Sequence, residues 1–128
     1  VTLTFVEASV FTSSVHEYFG SDDAYATFQE FLLADPDRGN VITGCGGLRK
    51  VRWPDPRRSM GKRGGLRIIY LHVPEVRYVL LLDIYGNEND DLSNVERKEL
   101  AHLADEYRRE ILETTHNKKG SNHGKHTT

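Results

Sequence analysis

The apolar residues of this chain crowd into two dense runs, Leu66 to Val73 and Val76 to Tyr85, separated by Pro74-Glu75. Within the second, Val79-Leu80-Leu81-Leu82 has no polar member. A strand apolar on both sides is one covered on both sides, so this segment predicts a central strand and the first run a strong strand beside it. Near the start, Thr2 to Glu7 alternates apolar and polar residues, with Leu3 and Phe5 on one face, and predicts a further strand. Phe11, Val15, Tyr18 and Phe19 then recur at helical spacing, predicting a helix over 9–19 that Gly20 stops. Ser21, Asp22 and Asp23 supply a cap and first-turn acids for a second helix. Its apolar face is Ala24, Tyr25, Phe28, Phe31 and Leu32, and Asp35-Pro36 ends it, because a residue before proline avoids helical backbone angles.

Arg38-Gly39-Asn40 reads as a turn, and Val41-Ile42 leads through Gly44-Cys45-Gly46-Gly47 to a strand over 48–53. Residues 54–65, with two prolines and three glycines, form a loop before the run at Leu66. Ser93-Asn94-Val95-Glu96 is a capping box, and the helix it opens extends to about Leu112. Val95, Leu100, Leu103, Ala104, Tyr107 and Ile111 approximate its apolar face, with Leu92 stapling its start. The order β-α-α-β-β-β-α predicts an α+β fold: a small antiparallel sheet with two N-terminal helices and one C-terminal helix. One domain is expected over residues 1–113, followed by a Lys-, His-, Gly- and Asn-rich tail over 114–128 that is expected to be disordered. No internal repeat is visible.

Composition narrows the class. A chain of 128 residues suits one domain, and 38% hydrophobic with 28% charged residues is a soluble globular balance. No apolar run approaches the roughly 18 residues a membrane helix needs. The start, with Glu7 soon after Val1 and no basic residue between, does not read as a signal peptide. Cys45 is the single cysteine, so intramolecular disulfides and zinc–thiolate clusters are excluded, which fits a cytoplasmic protein.

Charge changes the picture most. Residues 47–70 hold Arg49, Lys50, Arg52, Arg57, Arg58, Lys62, Arg63 and Arg67 against one acid, Asp55, a local charge of +7 in a chain whose formal net charge is −2. A nearly neutral protein has concentrated a positive field on one hairpin, as polyanion binding requires. Screening confines that field to about 8 Å at physiological salt, so an overall pI near 6 does not oppose it. Lys50 and Arg52 lie two apart on a strand and share a face, and Arg67 on the next strand can converge with them on one phosphate. Tyr85, ending the last strand, is a candidate for proton transfer or base stacking. Arg49, Arg57, Arg58, Lys62 and Arg63 are candidate contacts to the backbone of such a polyanion. Trp53 is a candidate for base stacking, although a lone tryptophan on a strand is more often a core residue.

The strings Gly46-Gly47-Leu48-Arg49-Lys50-Val51-Arg52, then Gly61-Lys62-Arg63-Gly64-Gly65-Leu66-Arg67-Ile68-Ile69-Tyr70, Leu82-Asp83-Ile84-Tyr85 and Asp91-Leu92-Ser93 resemble the RelE/HigB family of bacterial toxins, most closely its HigB branch. The resemblance covers about residues 24–112. It implies a microbial-RNase-like fold and ribosome-dependent cleavage of mRNA in the A site, with ribosomal RNA as a second contact. It also implies neutralisation by a cognate antitoxin, commonly one with a helix-turn-helix DNA-binding domain. By resemblance, Lys50, Arg52 and Arg67 match the family's basic active-site positions. Such cleavage needs no metal or cofactor: the ribose 2′-OH attacks the adjacent phosphate, leaving a 2′,3′-cyclic phosphate and a 5′-OH. One position departs from the HigB pattern. Two residues after the last-strand tyrosine that branch usually carries lysine, whereas here Asn87 follows Tyr85-Gly86. Asparagine can hydrogen-bond phosphate but carries no charge and is no general acid.

Other residues carry plainer expectations. Tyr70 and His72 read as structural, Cys45 as a non-nucleophile, and His116, His123 and His126 as tail residues without a metal role. Three functions follow from the basic hairpin: a ribosome-dependent endoribonuclease, a catalytically inactive ribosome- or RNA-binding inhibitor of translation, and a domain whose basic face meets an acidic peptide.

Overall fold

A computed structural model describes residues 2–54, 65–86 and 92–120, the last five of these by backbone alone. Strand β1 (Thr4–Glu7) is followed by helices α1 (Ser9–Phe19) and α2 (Asp22–Ala34), then strands β2 (Asn40–Val41), β3 (Arg49–Trp53), β4 (Leu66–Val73) and β5 (Tyr78–Tyr85), and helix α3 (Asn94–Gly120). The strands make one sheet in the order β1-β5-β4-β3-β2. The fold is α+β, as the pattern predicts.

Both faces of the sheet are covered. On one, Phe11, Val15 and Phe19 of α1 and Phe28 and Leu32 of α2 pack against Val51, Leu66, Ile68, Tyr70, Val79, Leu81 and Ile84. On the other, Ala104 and Ile111 of α3 pack with Ile42, Cys45 and Leu48 against Ile69, Leu71, Val73, Leu80 and Leu82. This double cover is why β4 and β5 carry near-continuous apolar runs instead of a strict alternation. Burial pushes the Cys45 thiol above its ordinary range, against a smaller lowering by Arg97, and leaves it a small core residue.

The helix ends follow their local chemistry. The Ser21 hydroxyl accepts from the Ala24 N–H at 3.1 Å, and Gly20 closes α1 in the left-handed region at φ 80°. At α3 the capping box is reciprocal: the Ser93 N–H donates to Glu96 Oε1 at 2.9 Å and the Glu96 N–H to Ser93 Oγ at 3.1 Å. Leu92, expected to staple the start of α3, packs on the α3-side core instead, because the position it would pair with is Arg97.

Four further expectations are corrected. The sheet is mixed, because β1 joins the outer edge of β5 in parallel, with Thr4 opposite Tyr78 and Glu7 opposite Leu81. The middle strand is β4, with β5 an interior neighbour. Asn40–Val41 forms a short edge strand on β3 where a lead-in was expected. Helix α3 continues to Gly120, eight residues past Leu112, taking in the first part of the expected disordered tail. No proline interrupts 113–120, and Thr115 Oγ1 donates to the Ile111 carbonyl at 2.7 Å. On that helix Val95 and Leu103 face outward, while Leu100, Ala104, Tyr107 and Ile111 face the sheet.

Two arginines of α3 hold the loop that delivers β3. Arg97 Nη1 donates to the Thr43 carbonyl at 2.7 Å and Arg108 Nη2 to the Gly46 carbonyl at 2.6 Å. Gly47 lies at φ 96°, and a Cβ there would stand 2.9 Å from Arg108 Nη2. Gly44, Gly46 and Gly47 all lie at positive φ, the left-handed region that glycine adopts at no steric cost, and this backbone shape rather than space explains them.

Candidate nucleic-acid interface

The register of three strands decides which of the predicted side chains meet. Arg52 of β3 lies opposite Arg67 of β4, and Arg67 lies opposite Tyr85 of β5. Residues paired across strands share a face, so these three form one row. The next row inward runs Lys50, Ile69, Asp83. Ile69 belongs to the core beneath α3, which places both rows on the α3 side of the sheet. Each row spans two strand spacings, about 10 Å, and the rows lie about 7 Å apart, dimensions that suit one phosphodiester with its flanking riboses.

This arrangement depends on a β-bulge. Tyr70 pairs with Leu81 but Ile69 pairs with Asp83, so Leu82 is one residue too many on β5. Before the bulge, Val79 and Leu81 face α1 and α2, while Leu80 faces α3. After it the parity is exchanged: Ile84 faces α1 and α2, and Asp83 and Tyr85 pair with residues on the α3 side. A regular strand would carry Tyr85 into the opposite core.

The four side chains sit at different depths. Arg52 is exposed, Lys50 and Tyr85 are half-buried, and Arg67 is only 5% exposed, the one buried charged residue among those described. Arg67 Nη1 donates to the Gly65 carbonyl at 3.3 Å. Arginine keeps its charge when buried, so Arg67 is a fixed cation and Arg52 an adaptable one. Set directly opposite each other on neighbouring strands, the two arginines concentrate positive charge at one place on this face.

Asp83 shares this face and is a residue that motif reading passed over. Burial pushes its carboxyl above the ordinary carboxylate range, with the hydrogen bond from the Ile84 N–H (2.9 Å) partly opposing. A signal existed in the sequence. Plain alternation puts Asp83 on the same face as core residue Leu81, and a carboxylate there conflicts with an apolar core unless a bulge intervenes.

Two candidate RNA contacts lie on the other face. Trp53 packs against Phe28 and Phe31, with ring centroids 5.2 and 4.7 Å away, on the side of α1 and α2. Its neighbours two residues back and across the ladder, Val51 and Leu66, are core residues, so strand parity turns the indole from the cation row. Arg49 donates through Nη1 to the carbonyls of Asp37 (2.9 Å) and Gly39 (2.7 Å), with Nε 3.7 Å from Asp37 Oδ1. It holds the turn after α2. Nearby, Tyr70 is fully buried: its hydroxyl donates to the Pro36 carbonyl at 2.8 Å and accepts from the Gly39 N–H at 2.9 Å. His72 Nδ1 lies 2.8 Å from Asp37 Oδ1. Arg57, Arg58, Lys62 and Arg63 lie in the β3–β4 connection, and Asn87 after β5, all outside the described residues.

Among the described residues no helix is long and apolar enough to cross a membrane. Compared with models of known protein families, the chain matches none.

Proposed function

We propose that this chain is the toxin of a toxin–antitoxin pair, a cytoplasmic ribosome-dependent endoribonuclease that cuts mRNA in the A site and is neutralised by a cognate antitoxin. The observation that carries this reading is the cross-strand row Arg52–Arg67–Tyr85 beside Lys50 on one sheet face. The RelE/HigB-like strings of the sequence supply the substrate class. Arg67 serves as a preorganised charge for the phosphate, stronger away from water than at the surface. Arg52 closes on the same phosphate as a bidentate fork, and Lys50 neutralises charge that builds on the non-bridging oxygens. Tyr85 stacks on a base or moves a proton at the edge of the row. O2′ attacks phosphorus as the P–O5′ bond breaks, leaving a cyclic phosphate and a 5′-OH.

The second reading, an inhibitor that occupies the ribosome without cutting, is favoured by Asn87 where the HigB branch has lysine. A programmed 70S complex with a defined A-site codon, probed by primer extension, separates the two. A discrete cut appearing only with ribosomes is the expected result. Stalled elongation without a cut supports occupancy, and neither effect removes both readings. In the same assay Arg67→Met, which keeps an alkyl stem for packing, is expected to lower cleavage by about 10²–10³-fold. Undiminished cutting by a folded variant would remove Arg67 from the site.

A further inference from the structure

Asp83 is a carboxylate that the bulge at Leu82 delivers to a cationic face. It stands in the row of Lys50, one row from Arg52, Arg67 and Tyr85. One of its oxygens, Oδ1, accepts from the Ile84 N–H at 2.9 Å, which fixes the orientation of the group by a bond to its own strand. A face meant only to hold phosphate gains nothing from an acid, since a carboxylate repels the ligand the cations attract. Across the ladder Asp83 faces Ile69, with Lys50 beyond it in the same row.

We infer that Asp83 is the general base of the site, taking the proton of the ribose 2′-OH as O2′ bonds to phosphorus. This rests on the endoribonuclease reading above. In the step, the O2′–H electrons become the new O2′–P bond, the proton passes to the Asp83 carboxylate, the P–O5′ bond breaks, and the leaving oxygen is protonated from solvent or Tyr85. Asp83 then returns its proton to water. A carboxyl lifted toward neutral pH by burial is a better proton acceptor than an ordinary one. The cations Lys50, Arg52 and Arg67 provide the opposing charge, and Tyr85 is the other titratable group of the two rows.

The test uses the full chain on programmed 70S ribosomes. Asp83→Asn keeps an oxygen for the Ile84 N–H and is expected to cut about 10²–10⁴-fold more slowly than wild type. Its ribosome co-sedimentation stays unchanged, and the fall in rate that wild type shows on acidification is absent. Asp83→Glu restores part of the rate together with that acid limb. Asp83→Asn cutting within a few-fold of wild type overturns the inference and leaves the endoribonuclease reading standing. Rates that follow melting temperature across both variants, with the acid limb intact in Asp83→Asn, also overturn it by showing a structural role. If wild type makes no cut, the endoribonuclease reading falls and the inference with it.

Discussion

At the residue scale, polar groups within the core are tied to particular partners. The Tyr70 hydroxyl holds the turn after α2 through Pro36 and Gly39, and burial, the largest influence on it, pushes its ionisation above the ordinary tyrosine range. Gly39 is required there, because a Cβ would stand 2.9 Å from that hydroxyl. Tyr70→Phe strips both bonds and is expected to destabilise the protein by about 1–3 kcal/mol in urea denaturation, the cost of buried polar groups left unmade. Glu7 is a second such centre, accepting from Thr12 Oγ1 at 2.7 Å and from the Tyr25 hydroxyl at 2.6 Å. The Asp83 carboxyl is raised as well, chiefly by burial, and its shift bears on stability at acid to neutral pH. Its folded pKa is raised above the unfolded value, so the folded state holds the proton more tightly and stability falls as pH rises between the two values. Asp83→Asn is therefore expected to melt at or above wild type at pH 7, with the difference closing on acidification. A variant that melts lower at pH 7 and equally low at acid pH would contradict the burial account. Tyr70 was legible as a core residue from its place in an apolar strand. Asp83 was not, because its face depends on a parity change that local pattern does not announce.

At the element scale, the helix ends that carry a cap or a proline were the most legible part of the fold, whereas the uncapped end of α3 was misplaced by eight residues. Ser21, Gly20, Asp35-Pro36 and the Ser93–Glu96 box act through bonds spanning three or four residues, and such chemistry is readable in place. The parallel pairing of β1 with β5 was not readable, because its partners stand more than seventy positions apart and the pattern of β1 suits either direction. The β4–β5 turn carries a local cost. Arg77 sits at φ 59°, a left-handed conformation that a side chain resists, while its carbonyl accepts from the Thr4 N–H at 2.9 Å. Arg77→Gly keeps that backbone bond and is expected to raise stability by about 1 kcal/mol in urea denaturation. A loss of stability would mean that the Arg77 side chain contributes more than its backbone strain costs.

At the scale of the whole molecule, charge and topology combine. The basic hairpin enters the sheet between β2 and β5, and its alternation sorts the cations: Lys50 and Arg52 to the α3 face, Arg49 to the turn after α2. Binding of a single-stranded RNA oligonucleotide, followed by fluorescence anisotropy, is expected to weaken with salt by a log–log slope of about −0.7 per phosphate neutralised. Arg52→Gln should make that slope shallower by about 0.7. An unchanged slope would take Arg52 out of the phosphate contacts. The sequence by itself determined the α+β class, the helix limits at their capped ends, the buried strands, and the concentration of positive charge on one hairpin. These follow from periodicity, capping and composition, which act over a few residues. The tertiary structure alone decided the parallel edge strand, the separation of Trp53 and Arg49 from the cation row, and the meeting of Arg52, Arg67, Tyr85 and Asp83. Those depend on pairing register between distant strands, where one extra residue at Leu82 exchanges the faces of everything after it.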